Sequence, residues 1–103
     1  SITLPESVTS IGEWAFYGCS SLTAITIPEG VTSIESCTFS WCSSLTSITI
    51  PEGVTSIGNY AFGNCTGLAN VYYAGKQGAW EKIACESGNE YLIVATVQYS
   101  AKP

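Results

Sequence analysis

Three cysteines recur at one interval along the chain, and a repeated thiol is the pattern in this sequence best suited to chemistry. Cys19, Cys42 and Cys65 are separated by 23 residues each. Such a column could form disulfides or bind a soft metal ion. However, parallel side chains in register point alongside one another, and no histidine is present to complete a zinc site. We therefore expect buried free thiols, with a disulfide or a metal site as the alternatives.

A column of glutamates repeats at the same interval. Glu6, Glu29 and Glu52 could gather a cation such as calcium, but a solvated acidic edge explains the column equally well. The chain contains no aspartate, arginine or histidine. It therefore cannot supply a catalytic triad, and nothing indicates a desolvated pocket around Glu13 or Glu35. The sequence predicts no enzyme, no catalytic residue, no metal and no cofactor.

Composition and charge narrow the classes of partner. The 103 residues carry a net charge of −5, from eight glutamates and three lysines. Binding to a phosphate backbone requires a basic patch, which this composition does not provide. No apolar stretch approaches the roughly 20 residues of a membrane-spanning helix. We therefore expect one domain that neither binds nucleic acid nor inserts into a membrane.

An internal period of 23 residues defines the architecture. The repeating positions form columns of like residues: Pro5, Pro28 and Pro51; Ile11, Ile34 and Ile57; Phe16, Phe39 and Phe62; Leu22, Leu45 and Leu68. A fixed period of this size is typical of a solenoid, in which each repeat buries its apolar face only against its neighbours. The columns are therefore expected to run through a continuous core.

Each repeat predicts a short strand followed by an arc. In the copy at 22–42, the residues around Ile25 alternate as in a strand, and Pro28 ends it because proline lacks the N–H that an internal strand needs. Val31 and Ile34 follow at helical spacing. The segment after them is predicted to form one short helical or 3₁₀ turn on the convex side. Strands of one parallel sheet are expected near 2–4, 25–27, 48–50 and 71–73.

The tail departs from the period but retains a repeat-like pattern. The pattern Leu-x-x-Ala-x-Val at 92–97 matches the one at 68–73 at an offset of 24, which predicts a fifth strand over 93–99. Apolar residues between 76 and 85 fall on one helix face, and Gly88-Asn89 is predicted to end this helix. A helix and a strand would then cap the last layer of the core.

The outward strand positions form the candidate contact surface. They carry threonine in successive repeats and then a tyrosine, and ligand contacts are predicted at four residues: Thr26, Thr49, Asn70 and Tyr72. The alternative is a threonine ladder that only stabilises the sheet through cross-strand contacts.

Aromatic residues outside the repeated columns are a second candidate surface. These are Trp14, Tyr17, Trp41 and Tyr60. Exposed aromatic side chains favour contact with a partner. We nevertheless expect half-buried packing between neighbouring arcs to account for them.

The repeat resembles that of a known family. The columns L-x-x-I-x-I-P-x-x-V-x-x-I-x-x-x-A/T-F-x-x-C are closely similar to the BspA-like leucine-rich repeats of bacterial surface proteins, and the tail looks like the C-terminal cap of the same proteins. Three positions after the last strand aliphatic, this chain carries Gly30, Gly53 or Ser7 rather than asparagine or cysteine, which separates it from the Asn-ladder variants. The resemblance implies a secreted or cell-surface protein that binds host matrix proteins, other cells or glycans.

Together these features predict an α/β solenoid, a right-handed leucine-rich-repeat superhelix with a parallel sheet of about five short strands. Residues 1–73 are expected to form the repeats and residues 74–103 a capping unit of the same continuous domain. The expected function is a bacterial protein-binding or adhesion module, secreted or at the cell surface, whose partner is an unidentified host or cell-surface protein or glycan. The alternative is a structural spacer that displays other domains. An uncovered first strand also suggests further repeats before Ser1, or self-association through that edge.

Overall fold

The structure is a computed structural model that describes residues 2–100, with side chains described from Leu4 onward. The described strands are β1 (Ile2–Thr3), β2 (Ala24–Thr26), β3 (Ser33–Ile34), β4 (Ser47–Ile50), β5 (Ser56–Ile57), β6 (Asn70–Tyr73), β7 (Ala84–Cys85) and β8 (Thr96–Gln98). Two short helices, α1 (Gln77–Glu81) and α2 (Glu90–Ile93), lie between the last three strands. Residues 101–103 of the predicted capping unit and Ser1 lie outside the described residues.

Five strands form one parallel sheet, here called the long sheet, in the order β1-β2-β4-β6-β8. The first four pair at an offset of 23 residues, so that Ile25 lies opposite Ile48 and Ile48 opposite Val71. Pro28 and Pro51 are buried just beyond β2 and β4, where no strand hydrogen bond is lost. The predicted solenoid with a parallel sheet of five short strands is therefore confirmed.

The fifth strand is shorter than predicted and has a different register. Val97 lies opposite Val71, an offset of 26 rather than the predicted 24. The first part of the predicted strand over 93–99 is occupied by the end of α2 and the turn that follows it. Leu92 belongs to that helix and is buried at 1% exposure. The apolar pattern at 92–97 therefore reflects a helix residue plus a strand, not one strand.

A second parallel sheet, the short sheet, was not predicted from the sequence. It contains β3, β5 and β7 in that order, with Ile34 opposite Ile57 and Ile57 opposite Cys85. The helical spacing of Val31 and Ile34 was therefore misinterpreted. Both residues point into the core, but Val31 lies in a turn and Ile34 in a strand. Cys85, the last residue of the range predicted as the cap helix, lies in β7 instead, where the backbone pairs with β5.

The convex arcs are hydrogen-bonded turns rather than helical or 3₁₀ turns. Trp14, Cys37 and Tyr60 occupy the same position in successive arcs and have φ of 66°, 59° and 56°. A right-handed helical turn requires negative φ, so these residues interrupt it. The N–H of Phe16 donates to Thr38 O at 2.8 Å, and the N–H of Phe39 donates to Ala61 O at 2.8 Å. The arcs are thus joined by a third ladder of backbone hydrogen bonds, here called the turn ladder.

The core lies between the two sheets and the arcs. Phe39 and Phe62 are fully buried, and the rings of Phe16, Phe39 and Phe62 stack with centroid separations of 5.3 Å at both steps. This spacing is close to the separation of neighbouring strands, about 4.8 Å. The stack therefore follows directly from the 23-residue period.

The cap begins with a helix shorter than the predicted range of 76–85. After Glu81 the backbone leaves the helix, because the N–H of Ala84 donates to Thr55 O of the neighbouring coil at 3.0 Å. Trp80 packs on Tyr73 with ring centroids 5.1 Å apart, as expected for a residue that covers the last layer. Gly88-Asn89 does not end this helix, which finishes seven residues earlier; Asn89 instead precedes α2.

Asn89 closes the turn ladder at its C-terminal end. Its Oδ1 accepts a hydrogen bond from the N–H of Phe62 at 2.9 Å, where a further repeat would present a backbone carbonyl. Its Nδ2 donates to Gly58 O and Glu86 O, both at 3.0 Å. The side chain is 1% exposed. This buried amide therefore replaces one backbone acceptor of the turn ladder, while the N–H of Tyr60 still donates to a backbone carbonyl, Ser87 O, at 3.0 Å.

Candidate functional site

The register of the long sheet brings all four predicted contact residues onto one outward face. Thr26, Thr49 and Tyr72 are consecutive partners in one row across the strands, and Gln98 extends this row. Asn70 belongs to a parallel row on the same face, which comprises Ala24, Ser47, Asn70 and Thr96. We call these two rows the polar face. Thr3 shares the first row by register, but its side chain lies outside the described residues.

The side-chain polar groups of this face have no hydrogen-bond partner among the described residues. Thr49, Asn70 and Tyr72 are half-buried, and Thr26 is exposed. Among residues 4–100, no side-chain hydrogen bond involves any member of the polar face, and no buried side-chain nitrogen or oxygen lacks a partner. The threonine ladder considered as an alternative therefore contributes contacts across the strands but no side-chain hydrogen bonds.

Some hydroxyl groups elsewhere in the coils are paired with the backbone. Thr38 donates to Glu35 O at 2.8 Å, Thr46 to Thr23 O at 3.2 Å and Thr55 to Thr32 O at 3.3 Å. These side chains satisfy backbone carbonyls within the solenoid, which is a structural role. Other exposed hydroxyls, such as those of Thr23 and Thr32, also have no partner among the described residues. The alignment in two rows therefore distinguishes the polar face, not the lack of partners.

The polar face carries no charged residue, but an acidic edge lies beside it. Glu29 and Glu52 are exposed in the turns that follow β2 and β4. Burial raises the pKa of the Tyr73 hydroxyl, and the negative charge of Glu52 raises it further. The ends of these strands therefore present negative potential to an approaching ligand.

The cysteine column consists of free thiols within the described residues. Cys42 and Cys65 are buried, and their thiols donate to Phe16 O at 3.1 Å and Phe39 O at 3.0 Å. Burial raises the pKa of Cys42 and raises that of Cys65 to about 12, so both remain protonated near neutral pH. Cys19 is only half-buried. Residues 2–100 contain no cluster of three or more potential metal ligands.

The aromatic residues of the arcs are about half exposed. The exposed fractions are 55% for Trp14, 47% for Tyr17, 52% for Trp41 and 52% for Tyr60. About half of each side chain is therefore accessible to solvent, and packing between neighbouring arcs stays a prediction. Trp14 contacts Tyr17 within its own arc, with ring centroids 4.8 Å apart. A side chain at Gly88 would overlap the ring of Tyr60, which shows that this ring covers the cap backbone.

Two shallow cavities adjoin α1. One of about 300 Å³ is lined mainly by apolar side chains, including Ile57, Trp80 and Leu92. The other, of about 210 Å³, lies between Tyr73 and Lys82. Glu81 and Cys85 also line the first cavity, and burial raises the pKa of the Cys85 thiol, which disfavours the nucleophilic thiolate.

Sequence reasoning missed Ala24 and three polar members of the polar face. Ser47 could have been found, because it precedes Ile48 in the same strand and alternation places it outward. Thr96 and Gln98 could not be found in this way, because the offset of 26 in the last pairing interrupts the period.

Within the part of the chain that the structure describes, neither helix has the length and apolarity needed to cross a bilayer.

The comparisons with known proteins agree with this architecture. The family model described as BspA type leucine-rich repeat region matches residues 1–87 in six copies. The chain therefore belongs to the BspA-type leucine-rich repeat family. A search of curated proteins returned no match.

Two solved bacterial structures are similar to the chain. A leucine-rich cell surface protein of Faecalibacterium prausnitzii A2-165 is 42% identical over 82% of this chain and 22% of that protein, with a TM-score of 0.77. A leucine-rich repeat protein of Bacteroides ovatus ATCC 8483 is 42% identical over 68% of this chain and 18% of that protein, with a TM-score of 0.61. The chain thus spans about a fifth of the length of each. Family membership is consistent with a non-catalytic repeat module.

Proposed function

We propose that this chain is a binding or adhesion module of a secreted or cell-surface bacterial protein, without catalytic activity, and that it contacts its partner through the polar face. The class of protein is supported by the family match and by the leucine-rich cell surface protein of Faecalibacterium prausnitzii. The observation that carries the assignment of the surface is the alignment of uncharged polar side chains, without hydrogen-bond partners among residues 4–100, in two rows across the strands.

Unused hydrogen-bonding groups on a preformed surface favour recognition. The strands hold these side chains in fixed register, so little conformational entropy is lost when a partner binds. Neighbouring coils supply the same groups at a regular interval, and a longer array of repeats would therefore present several weak contacts at once. Such contacts gain strength through multivalency.

The test is binding of the chain to arrayed glycans and extracellular-matrix proteins. The double variant Thr49→Ala with Tyr72→Ala removes a hydroxyl and a ring from the polar face. A matched double variant, Tyr17→Ala with Thr66→Ala, makes the same chemical changes at exposed positions in the arcs. We expect the first variant to weaken binding at least about tenfold and the second to leave it within about threefold.

Two results would contradict the proposal. Binding that survives the loss of Thr49 and Tyr72 would exclude the polar face as the contact surface. A chain that folds but binds nothing on either array would favour the spacer alternative, in which the repeats only display other domains.

A further inference from the structure

We propose that the ligand of the polar face is a neutral polysaccharide whose chain lies across the strands, along the two rows of side chains. This inference rests on the proposed function of the same face and names the chemical class of its ligand. Four observations support it: the direction of the rows, the absence of charge, the scarcity of apolar anchors and the placement of one aromatic ring.

The rows define the direction of the ligand. Neighbouring strands lie about 4.8 Å apart. One row carries Thr26 and Thr49 on adjacent strands and Gln98 beyond Tyr72, and the other carries Ser47, Asn70 and Thr96 on three adjacent strands. Hydroxyls both donate and accept hydrogen bonds, and side-chain amides do so at separate atoms. A polymer with hydroxyl groups at regular intervals along its length can pair with such an array.

The charges select against an acidic ligand. None of the residues of the polar face is charged, and the chain has no arginine. Glu29 and Glu52 are exposed at the ends of adjacent strands, where they would repel sulfate or carboxylate groups. A sulfated or uronic-acid polymer would gain no ion pair on this face and would meet an acidic edge. A neutral sugar chain needs no ion pair and is not repelled by the acidic edge.

A protein partner fits the polar face less well. Hot spots of protein interfaces are enriched in tryptophan, tyrosine and arginine that fill pockets near the centre of the contact. The polar face offers only Tyr72 as a large apolar side chain, since its other members are threonine, serine, alanine, asparagine and glutamine. Hydrogen bonds from small polar groups, with a single ring among them, are instead suited to a sugar.

Tyr72 supplies the apolar contact that a sugar needs. It lies between Thr49 and Gln98 in its row, and Asn70 lies beside it on the same strand and the same face. A tyrosine ring is apolar over its body and polar at its tip. Its face can pack against the C–H groups of one sugar ring, while Thr49, Asn70 and Gln98 bond to the hydroxyls of that sugar and its neighbours.

The experiment compares neutral and acidic polysaccharides with the 103-residue chain. The neutral probes are cereal β-glucan, galactomannan and arabinoxylan, and the acidic probes are heparin and polygalacturonate. The arrayed extracellular-matrix proteins serve as protein probes. Retardation in affinity gels is followed by calorimetry on any probe that binds. The variants are Tyr72→Ala, Tyr72→Phe, which keeps the ring, and Tyr17→Ala, which removes an exposed tyrosine from an arc. Circular dichroism establishes that each variant is folded.

We expect at least one neutral polysaccharide to bind and both acidic ones to fail. Tyr72→Ala should weaken binding about tenfold or more, while Tyr72→Phe and Tyr17→Ala should remain within about threefold of the unmodified chain. The dissociation constant should be nearly the same between about 0.05 and 0.5 M NaCl, because no ion pair is involved.

The outcomes separate this inference from the proposed function. Binding only to heparin or polygalacturonate overturns the inference, as does binding to a neutral polysaccharide that is insensitive to Tyr72→Ala or equally sensitive to Tyr17→Ala. Binding of matrix proteins alone, with the same dependence on Tyr72, overturns the inference but leaves the polar face as the contact surface. Failure to bind any polysaccharide or matrix protein overturns both.

Discussion

Phe39 has a phenylalanine on each side, and this position decides how much the residue contributes to stability. Its ring is fully buried and stacks on Phe16 and Phe62 at 5.3 Å. Neighbours on both sides are fixed by their own coils and cannot close the space that truncation would leave. Phe39→Ala should therefore lower the free energy of unfolding by about 3–5 kcal/mol, measured by urea denaturation followed by circular dichroism.

The control for this substitution comes from the same coil as Phe39. Ser44→Ala changes an exposed residue and should alter the free energy of unfolding by no more than about 0.5 kcal/mol. Ser40 would be a poor control, because it is buried and its hydroxyl donates to Gly63 O at 3.3 Å. If Phe39→Ala and Ser44→Ala unfold at the same urea concentration, the stack does not hold the coils together.

The turn ladder depends at its C-terminal end on the side chain of Asn89. Asn89→Leu has a similar volume but removes the acceptor of the Phe62 N–H and the side-chain donor to Gly58 O and Glu86 O. Gly58 O keeps its hydrogen bond from the Ala61 N–H. Buried backbone groups without hydrogen bonds are costly. We expect a loss of about 3–5 kcal/mol in the free energy of unfolding, again measured by urea denaturation.

Asn59 provides the matched comparison. It is exposed, and its Oδ1 accepts one hydrogen bond from Ser87 at 3.2 Å. Asn59→Leu should therefore cost no more than about 1 kcal/mol. Equal effects of the two substitutions would mean that Asn89 does not act as the cap of the turn ladder.

The elements differ in how far the sequence could predict them. The long sheet was predictable because Ile25, Ile48 and Val71 repeat at one interval and alternate with polar residues. The same register brings Thr49 and Tyr72 together on the polar face. These features depend on periodicity alone, and periodicity is visible in a single sequence.

Other elements depend on contacts that no period reveals. The short sheet is built from strands of two residues, and two residues are too few to show alternation. Asn89 occurs once, in the irregular tail, and its role requires knowledge of where the N–H of Phe62 lies. The register of β8 follows from the insertion of α2, which shifts Val97 to an offset of 26.

At the scale of the whole molecule, the described strands pair only with those of the coils before and after them. Every strand of the long sheet pairs with its neighbours in the stack, and the shortest dimension of the molecule is 20 Å, close to the height of five rungs at about 4.8 Å. In such a solenoid, stability is approximately a sum of terms for coils and for the interfaces between adjacent coils. Local opening should therefore be easiest where a coil has a partner on one side only.

Native-state hydrogen exchange tests this distribution of stability. β4 lies between β2 and β6, whereas β8 pairs with β6 alone among the described strands. We expect the hydrogen-bonded amides of β4 to exchange slowest and those of β8 faster by about tenfold or more, since one missing interface is worth at least about 1.4 kcal/mol.

Val97→Ala should then speed hydrogen exchange in β8 and β6 and leave exchange in β2 nearly unchanged, because the effect of the substitution is passed on only through adjacent coils. Thr96→Ala, an exposed change in the same strand, should have little effect anywhere. Uniform protection across β2, β4 and β8, with an equal response of all three to Val97→Ala, would instead show that the coils open as one cooperative unit.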